Sequence, residues 1–296
     1  MSFKSGYIAI LGAPNVGKST LLNSLLGEKL AIVSEKPQTT RHKLLGILNV
    51  KDGQLLFLDT PGLHKSEKRL NVYMVEEALG TIEDADLIFF VVEPFRDPSP
   101  EELQFLQKIE EKEKPYFLII NKVDQVAKLT LLPLIQTWKD VSKAKDIFLT
   151  SAVRSDGVPD LVKKALHYLP EGPAYYPTDQ LTDRDMRHLA SEIIREKLFQ
   201  LTHQEIPYSL EVVIDEFVEE KDRTLDRISA TIYVEKDSQK PIVIGRGGEM
   251  LKKVGELARR EIEQLTSRQA FLTLFVKVVK DWTKKESTLR ELGYGR

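Results

Sequence analysis

Tyr7-Ile8-Ala9-Ile10-Leu11-Gly12-Ala13-Pro14-Asn15-Val16-Gly17-Lys18-Ser19-Thr20 runs from an apolar stretch into a glycine loop. Residues 12–19 fit the spacing G-x-x-x-x-G-K-[ST]. The loop follows a predicted strand, Tyr7–Leu11, and opens a predicted helix, Lys18–Leu26, which is the context that gives the match its meaning. Glycines let the backbone curl so that amide N–H groups converge on phosphate oxygens, and the helix N-terminus adds favourable electrostatics. Lys18 is placed to reach the β- and γ-phosphates, and Ser19, followed by Thr20, to supply a hydroxyl ligand for Mg²⁺.

Working outward, apolar runs alternate with helical patterns. Strands are expected at Leu44–Val50, Gln54–Asp59, Leu87–Val92, Tyr116–Asn121 and Asp146–Thr150. Helices are expected at Val72–Glu83, Pro100–Lys112, Leu131–Trp138 and Gly157–Leu169. This alternation predicts an α/β domain over residues 1–170, with a mostly parallel six-stranded sheet covered on both faces. Ligands of such sheets bind beyond the carboxyl ends of the strands.

Two further groups fall at those ends. Asp59-Thr60-Pro61-Gly62 follows the third strand, about 40 residues after the loop. Asp59 can hold magnesium directly or through water, and Gly62 lets its N–H face a γ-phosphate. Alone, such a turn is weak evidence. Thr39 and Thr40 lie in a polar stretch that by itself reads as an ordinary loop. Beside a phosphate site, Thr40 can complete the metal shell only when γ-phosphate is present, the basis of a switch. Lys18, Thr40 and Gly62 are thus the candidate catalytic groups.

Asn121-Lys122-Val123-Asp124 separates guanine from adenine. Guanine offers N1–H and N2–H₂, a donor pair that the two oxygens of Asp124 can accept. Adenine would leave that carboxylate facing an acceptor, and unpaired buried polar groups are costly. Asn121 can tie the loop together, the Lys122 stem can cover the ring, and the Ser151-Ala152 backbone can donate to guanine O6. GTP or GDP with Mg²⁺ is the expected ligand.

Pro170-Glu171-Gly172-Pro173-Ala174-Tyr175-Tyr176-Pro177 has three prolines in eight residues and cannot be regular helix or central strand. Residues 171–182 therefore read as a linker. Over 183–282 the order changes to helix (183–201), strand (209–218), strand (228–234), helix (250–265) and strand (271–279), a smaller α+β domain. Residues 283–296 read as a C-terminal tail. Val243-Ile244-Gly245-Arg246-Gly247-Gly248 precedes the second of these helices. A Gly-x-x-Gly loop can clamp a nucleic-acid backbone because absent side chains permit close approach. Arg246, Lys252 and Lys253 add positive charge there. The plainer reading of Gly-Arg-Gly-Gly before a helix is a tight turn.

Net charge is −2, unevenly spread: residues 1–170 hold 22 basic and 22 acidic side chains, 171–244 hold 9 and 16, and 245–296 hold 12 and 7. A basic end suggests an anionic partner, or simply a solvated helix face. With no cysteine, disulfides, thiolate metal sites and cysteine nucleophiles are excluded. No run reaches the roughly 18 apolar residues of a membrane span. The N-terminus enters a strand directly and does not read as a signal peptide. The histidines His42, His64, His167, His188 and His203 have no metal spacing. Trp138 and Trp282 read as packing residues. Asp215, Glu216, Glu219, Glu220 and Asp222 read as a solvated strand end.

Gly-x-Pro-Asn-x-Gly-Lys-Ser-Thr, Asp-Thr-Pro-Gly and Asn-Lys-Val-Asp, in this order, resemble the translation-factor-related GTPases, and within them the bacterial ribosome-assembly and tRNA-modification branch. The 243–248 loop resembles the VIGxxG loop of a type II KH domain. A GTPase joined to one KH domain is similar to the Era-like GTPases over nearly the whole chain. That resemblance implies binding of 16S ribosomal RNA near its 3′ end, for which Ile244, Gly245, Arg246, Gly247, Gly248, Lys252 and Lys253 are the candidate residues, and GTP hydrolysis is expected to be slow. It also implies a role in maturation of the 30S subunit and loose association with the inner membrane, while the lack of cysteine is compatible with the expected cytoplasmic location. A monomer is expected. Asn15 resembles an asparagine that holds K⁺ near the phosphates in some relatives. Leu63 stands where many GTPases carry a water-orienting glutamine, a departure usual in the Era-like branch. Competing readings are a P-loop ATPase or kinase, an RNA adaptor with negligible hydrolysis, and a GTPase acting on another RNA such as tRNA.

Overall fold

A computed structural model describes residues 2–34, 36, 39–63, 69–220 and 224–294. Pro37 and Gln38 of the switch stretch, His64 and Asp222 lie outside the described residues. The chain divides into two compact units, with the main break between Asp183 and Arg184 and with Arg69 and Leu70, at the start of the second helix, grouped with the second unit.

In the first unit the strands are β1 (Lys4–Gly12), β2 (Leu44–Val50), β3 (Gly53–Asp59), β4 (Leu87–Val92), β5 (Tyr116–Ile120) and β6 (Asp146–Leu149). They form one sheet in the order β2-β3-β1-β4-β5-β6. β2 pairs antiparallel to β3 and the other neighbours pair parallel. The helices are α1 (Lys18–Leu26), α2 (Arg69–Asp84), α3 (Pro100–Glu111), α4 (Lys128–Val141) and α5 (Val158–Tyr168). Every residue of β4, Leu-Ile-Phe-Phe-Val-Val, is buried, as a strand covered on both faces must be. Alternate side chains go to opposite cores. Ile8, Ile10, Phe89 and Phe117 pack with α1 and α5, while Ala9, Leu11, Phe90 and Leu118 pack with Ala78, Phe105 and Trp138.

The proline-rich segment forms no regular element, but it is not loose. Ser5 N donates to Pro170 O, Gly172 N to Phe3 O and Ile47 N to Leu181 O. Fully buried Gln54 accepts from the Tyr175 and Tyr176 amides and donates to Tyr176 O. Prolines lack donors, yet the amides between them still need acceptors, and the edge of the first unit supplies these.

The second unit runs α6 (Met186–Leu201), β7 (Leu210–Glu220), β8 (Leu225–Val234), α7 (Gln239–Ile244), α8 (Glu249–Thr266), β9 (Gln269–Val278) and α9 (Glu286–Glu291). β7 and β8 are antiparallel, β8 and β9 parallel. Two features go beyond the sequence reading. α7 precedes the glycine loop, with Pro241 in its first turn where a missing N–H costs nothing. The expected tail also folds: Leu289 is fully buried and the Tyr294 hydroxyl bonds the Glu211 carboxylate, while the indole of Trp282, just before it, donates to Ser209 O at 3.0 Å. Leu289 and Tyr294 give this segment apolar and aromatic surface to bury.

Candidate functional site

The phosphate loop joins β1 to α1 through backbone angles that most residues avoid. Gly17 has φ 97° and Asn15 φ 65°. A Cβ on Gly17 would lie 2.4 Å from Asn121 Nδ2, so this glycine is needed for space as well as conformation. Val16 buries its side chain in the core, and its carbonyl accepts from Asn121 Nδ2 at 3.0 Å.

Lys18 is buried and turned onto its own loop, donating to Gly12 O at 3.1 Å and Ala13 O at 2.9 Å. Burial pushes its pKa down to about 8, and the Asp59 carboxylate opposes that shift. Ser19 Oγ donates to Asp59 Oδ2 at 2.7 Å and lies 2.8 Å from Thr40 Oγ1, which is 3.4 Å from the same carboxylate oxygen. The three candidate metal ligands therefore converge. Asp59 is fully buried, and burial raises its pKa against the pull of Lys18, Ser19, the Thr60 amide and Thr40. Its other oxygen, Oδ1, is buried without a hydrogen-bond partner. A buried carboxylate with an unpartnered oxygen beside two hydroxyls is an all-oxygen donor set, and it fits Mg²⁺.

Gly62 approaches the loop so closely that a Cβ would meet Pro14 N and Cα at 2.8 Å. Thr60 is buried, with its hydroxyl on Ile10 O, and does not reach the pocket. Leu63 packs in the core at 3% exposure and its amide bonds Gly12 O, so its side chain is far from any water-orienting role. Thr39 turns its hydroxyl to Lys36 O. A pocket of about 420 Å³ is lined by Pro14, Asn15, Gly17, Lys18, Ser19, Thr20, Thr39, Thr40, Gly62 and Lys122. Val33, Ser34 and Gln125, which no motif flagged, also line it.

At the end of β5, Asn121 is a joint of three loops. Besides holding Val16 O, its Oδ1 accepts from Thr150 Oγ1 at 3.1 Å and from the Ala152 amide at 3.0 Å. The Ser151 amide bonds Asp156 O. Both amides expected to meet guanine O6 therefore already have an acceptor within the chain, and a base oxygen would have to share the Ala152 N–H with Asn121. Lys122, at φ 63°, donates to Asn15 O at 2.5 Å and pairs with Glu93. Asp124 Oδ1 is buried without a hydrogen-bond partner, and Arg154 Nε lies 4.0 Å from Oδ2. Glu93, Thr150 and Arg154 were not read from sequence. Their signal was positional, because each lies at or just beyond the carboxyl end of β4 or β6.

In the second unit, Gly245, Gly247 and Gly248 all have positive φ. A Cβ on Gly245 would strike Met250, whereas Gly247 and Gly248 face open space. A groove of about 730 Å³ runs between α8 and β9, lined by Gly248, Leu251, Lys252, Gly255, Glu256, Arg259 and Leu272–Leu274. Of the residues expected to hold RNA, Gly248 and Lys252 line this groove. Arg246 and Lys253 are exposed beside it, Lys253 being turned away by the helical step from Lys252. Among the described residues no group of three or more His, Cys, Asp or Glu side chains could hold a metal, and no helix is long and apolar enough to cross a membrane.

Comparison with known proteins matches residues 7–122 to a model described as a 50S ribosome-binding GTPase and residues 205–283 to a KH domain. The chain is 50% identical over 292 residues to GTPase Era of Syntrophus aciditrophicus, covering 99% of this chain and 95% of the relative. It is also 50% identical to GTPase Era of Geobacter metallireducens, covering 99% and 98%. A crystal structure of Era with MgGDPNP and nucleotides 1506–1542 of 16S ribosomal RNA matches at 40% identity and TM-score 0.96, covering 99% of this chain and all of that one. A variant of Aquifex aeolicus Era bound to GDP and AlF₄⁻ matches equally well, with the same identity and TM-score.

Proposed function

The chain belongs to the Era family of GTPases, and from that premise we propose how its own residues act. The pocket of the first unit binds GTP or GDP with Mg²⁺ and hydrolyses GTP slowly. The groove of the second unit binds 16S ribosomal RNA near its 3′ end, as a cytoplasmic monomer assisting assembly of the 30S subunit. The observation that carries the nucleotide reading is that two of the three buried carboxylate oxygens without hydrogen-bond partners among the described residues, Asp59 Oδ1 and Asp124 Oδ1, belong to this site's motifs, the third being Asp226 Oδ2 of the second unit. Such atoms cost roughly 1–3 kcal/mol or more each unless a ligand satisfies them. One suits a cation and the other a donor pair such as guanine N1–H and N2–H₂.

Ser19, Thr40 and Asp59 would hold Mg²⁺, which, when bound, neutralises charge on the phosphates. Lys18 leaves Gly12 O and Ala13 O for the phosphate oxygens, whose negative charge stabilises the ammonium against the burial that lowers its pKa. The Gly62 backbone meets the γ-phosphate, while Thr40 senses it from the switch stretch. Leu63 has no part in orienting water, so turnover rests on positioning and charge and is slow. Asn15, which lines the pocket, is the proposed K⁺ ligand. Hydrolysis should be several-fold faster in potassium than in sodium buffer, and equal rates would remove K⁺ from the account.

For the RNA, Lys252 and Arg259 lie along the groove near Gly248, and Gly255 lies in its wall. Gly255 is helical, and a Cβ there would lie 3.6 Å from Leu274 Cδ1, an ordinary contact. That Cβ contact accommodates alanine, and Gly255→Leu gains helix propensity while extending side-chain bulk into the groove, with an unchanged melting temperature as the check that the fold is kept. Anisotropy of a labelled fragment spanning the 3′ end of 16S RNA should show at least about tenfold weaker binding. Unchanged RNA affinity with a normal melting temperature would move the RNA site elsewhere.

A further inference from the structure

Lys122 of the base loop straps that loop to the phosphate loop, and its ammonium is held by a side chain outside both motifs. Glu93 follows β4 directly, and its carboxylate receives the Lys122 ammonium. The same ammonium donates to Asn15 O in the phosphate loop at 2.5 Å. The Lys122 stem lies against that loop, since its Cε would be 3.9 Å from a Cβ on Gly17. Glu93 and Lys122 are only about a quarter exposed, at 23% and 25%.

We propose that Glu93 is a positioning residue for guanine-nucleotide binding, acting by anchoring the Lys122 ammonium so that its stem stays stretched between the base and phosphate loops. This rests on the nucleotide-site reading above. Asn15 O alone offers Lys122 one neutral acceptor. The carboxylate adds a charge-assisted bond from a second direction, where partial burial strengthens it relative to a surface pair. Without it the ammonium turns to water and the stem gains freedom to leave the base. The base is common to GDP and GTP, so both should be held less well. Glu93 touches neither Lys18 nor the Ser19–Thr40–Asp59 cluster, so the chemical step should be spared.

The test is the dissociation of fluorescent GDP and GTP analogues in a chase, with multiple-turnover kinetics, on the full chain. Glu93→Gln should release both nucleotides about tenfold faster and raise KM for GTP in proportion, with kcat changed less than twofold. Lys122→Met, which keeps a stem and removes the charge, should do the same or more. The double variant should be no worse than Lys122→Met alone, because the two groups act as one unit. Glu93→Gln dissociation within twofold of wild type, or single effects that multiply in the double variant, would overturn the proposal. Asp124→Asn in the same assay separates the levels. If it weakens guanine binding while Glu93→Gln does not, Glu93 alone is discarded. If it too is silent, the nucleotide-site reading falls and the proposal with it.

Discussion

Asp124→Asn is expected to weaken GTP and GDP binding by at least about 100-fold and to admit xanthine nucleotides in their place. The carboxylate is acceptor-only, and its Oδ1 is buried without a hydrogen-bond partner. Guanine meets it with two donors. An amide at the same place keeps one acceptor and presents an N–H₂ toward the guanine amino group, so one bond is lost and two donors face each other. Losing one bond and opposing like dipoles in a partly closed site costs on the order of 3 kcal/mol or more. Xanthine carries a carbonyl where guanine carries the amino group, so it complements the amide. Titration of fluorescent GDP and XDP against both proteins should show the preference reversed. Equal GDP affinity in the two proteins would mean that Asp124 does not face the base.

Lys18→Ala should lower multiple-turnover phosphate release by about 1000-fold, the scale reached when a preorganised charge on a developing anion is removed. The nucleotide-free protein should be nearly as stable as wild type. Two effects oppose each other: Gly12 O and Ala13 O lose their donor, and a buried ammonium whose pKa is pushed down to about 8 is removed. Malachite-green assays and thermal melts, run side by side, read both halves. A large loss of turnover without a large drop in melting temperature marks Lys18 as a working group in the site.

Much of this was legible because the signals were local. A buried strand such as Leu87–Val92 is a continuous apolar run, and a phosphate loop fixes both the strand before it and the helix after it. Convergence of Ser19, Thr40 and Asp59 followed from sheet logic, since ligands gather at the carboxyl ends of parallel strands. Other features depend on pairings distant in sequence. Nothing near Glu93 announces that its carboxylate will meet Lys122, 29 residues later. Gln54 looks like an ordinary polar residue in a strand, yet it organises the proline segment 121 and 122 residues away. The Gly-Arg-Gly-Gly turn was visible, but the groove beyond it depends on Leu272–Leu274 arriving from β9. The C-terminal segment reads as a tail by position, and only the burial of Leu289 and Tyr294 makes it part of the second unit.

The proposed site stands on one claim, that the Asp124 carboxylate, with its buried unpartnered Oδ1, selects guanine in a pocket whose phosphate loop would accept any nucleotide. Equilibrium competition tests it most directly. Labelled GTP held by the wild-type chain with Mg²⁺ should be displaced by unlabelled GTP near stoichiometric amounts and left in place by about a 1000-fold excess of ATP. Displacement by ATP at concentrations comparable to GTP would contradict the account.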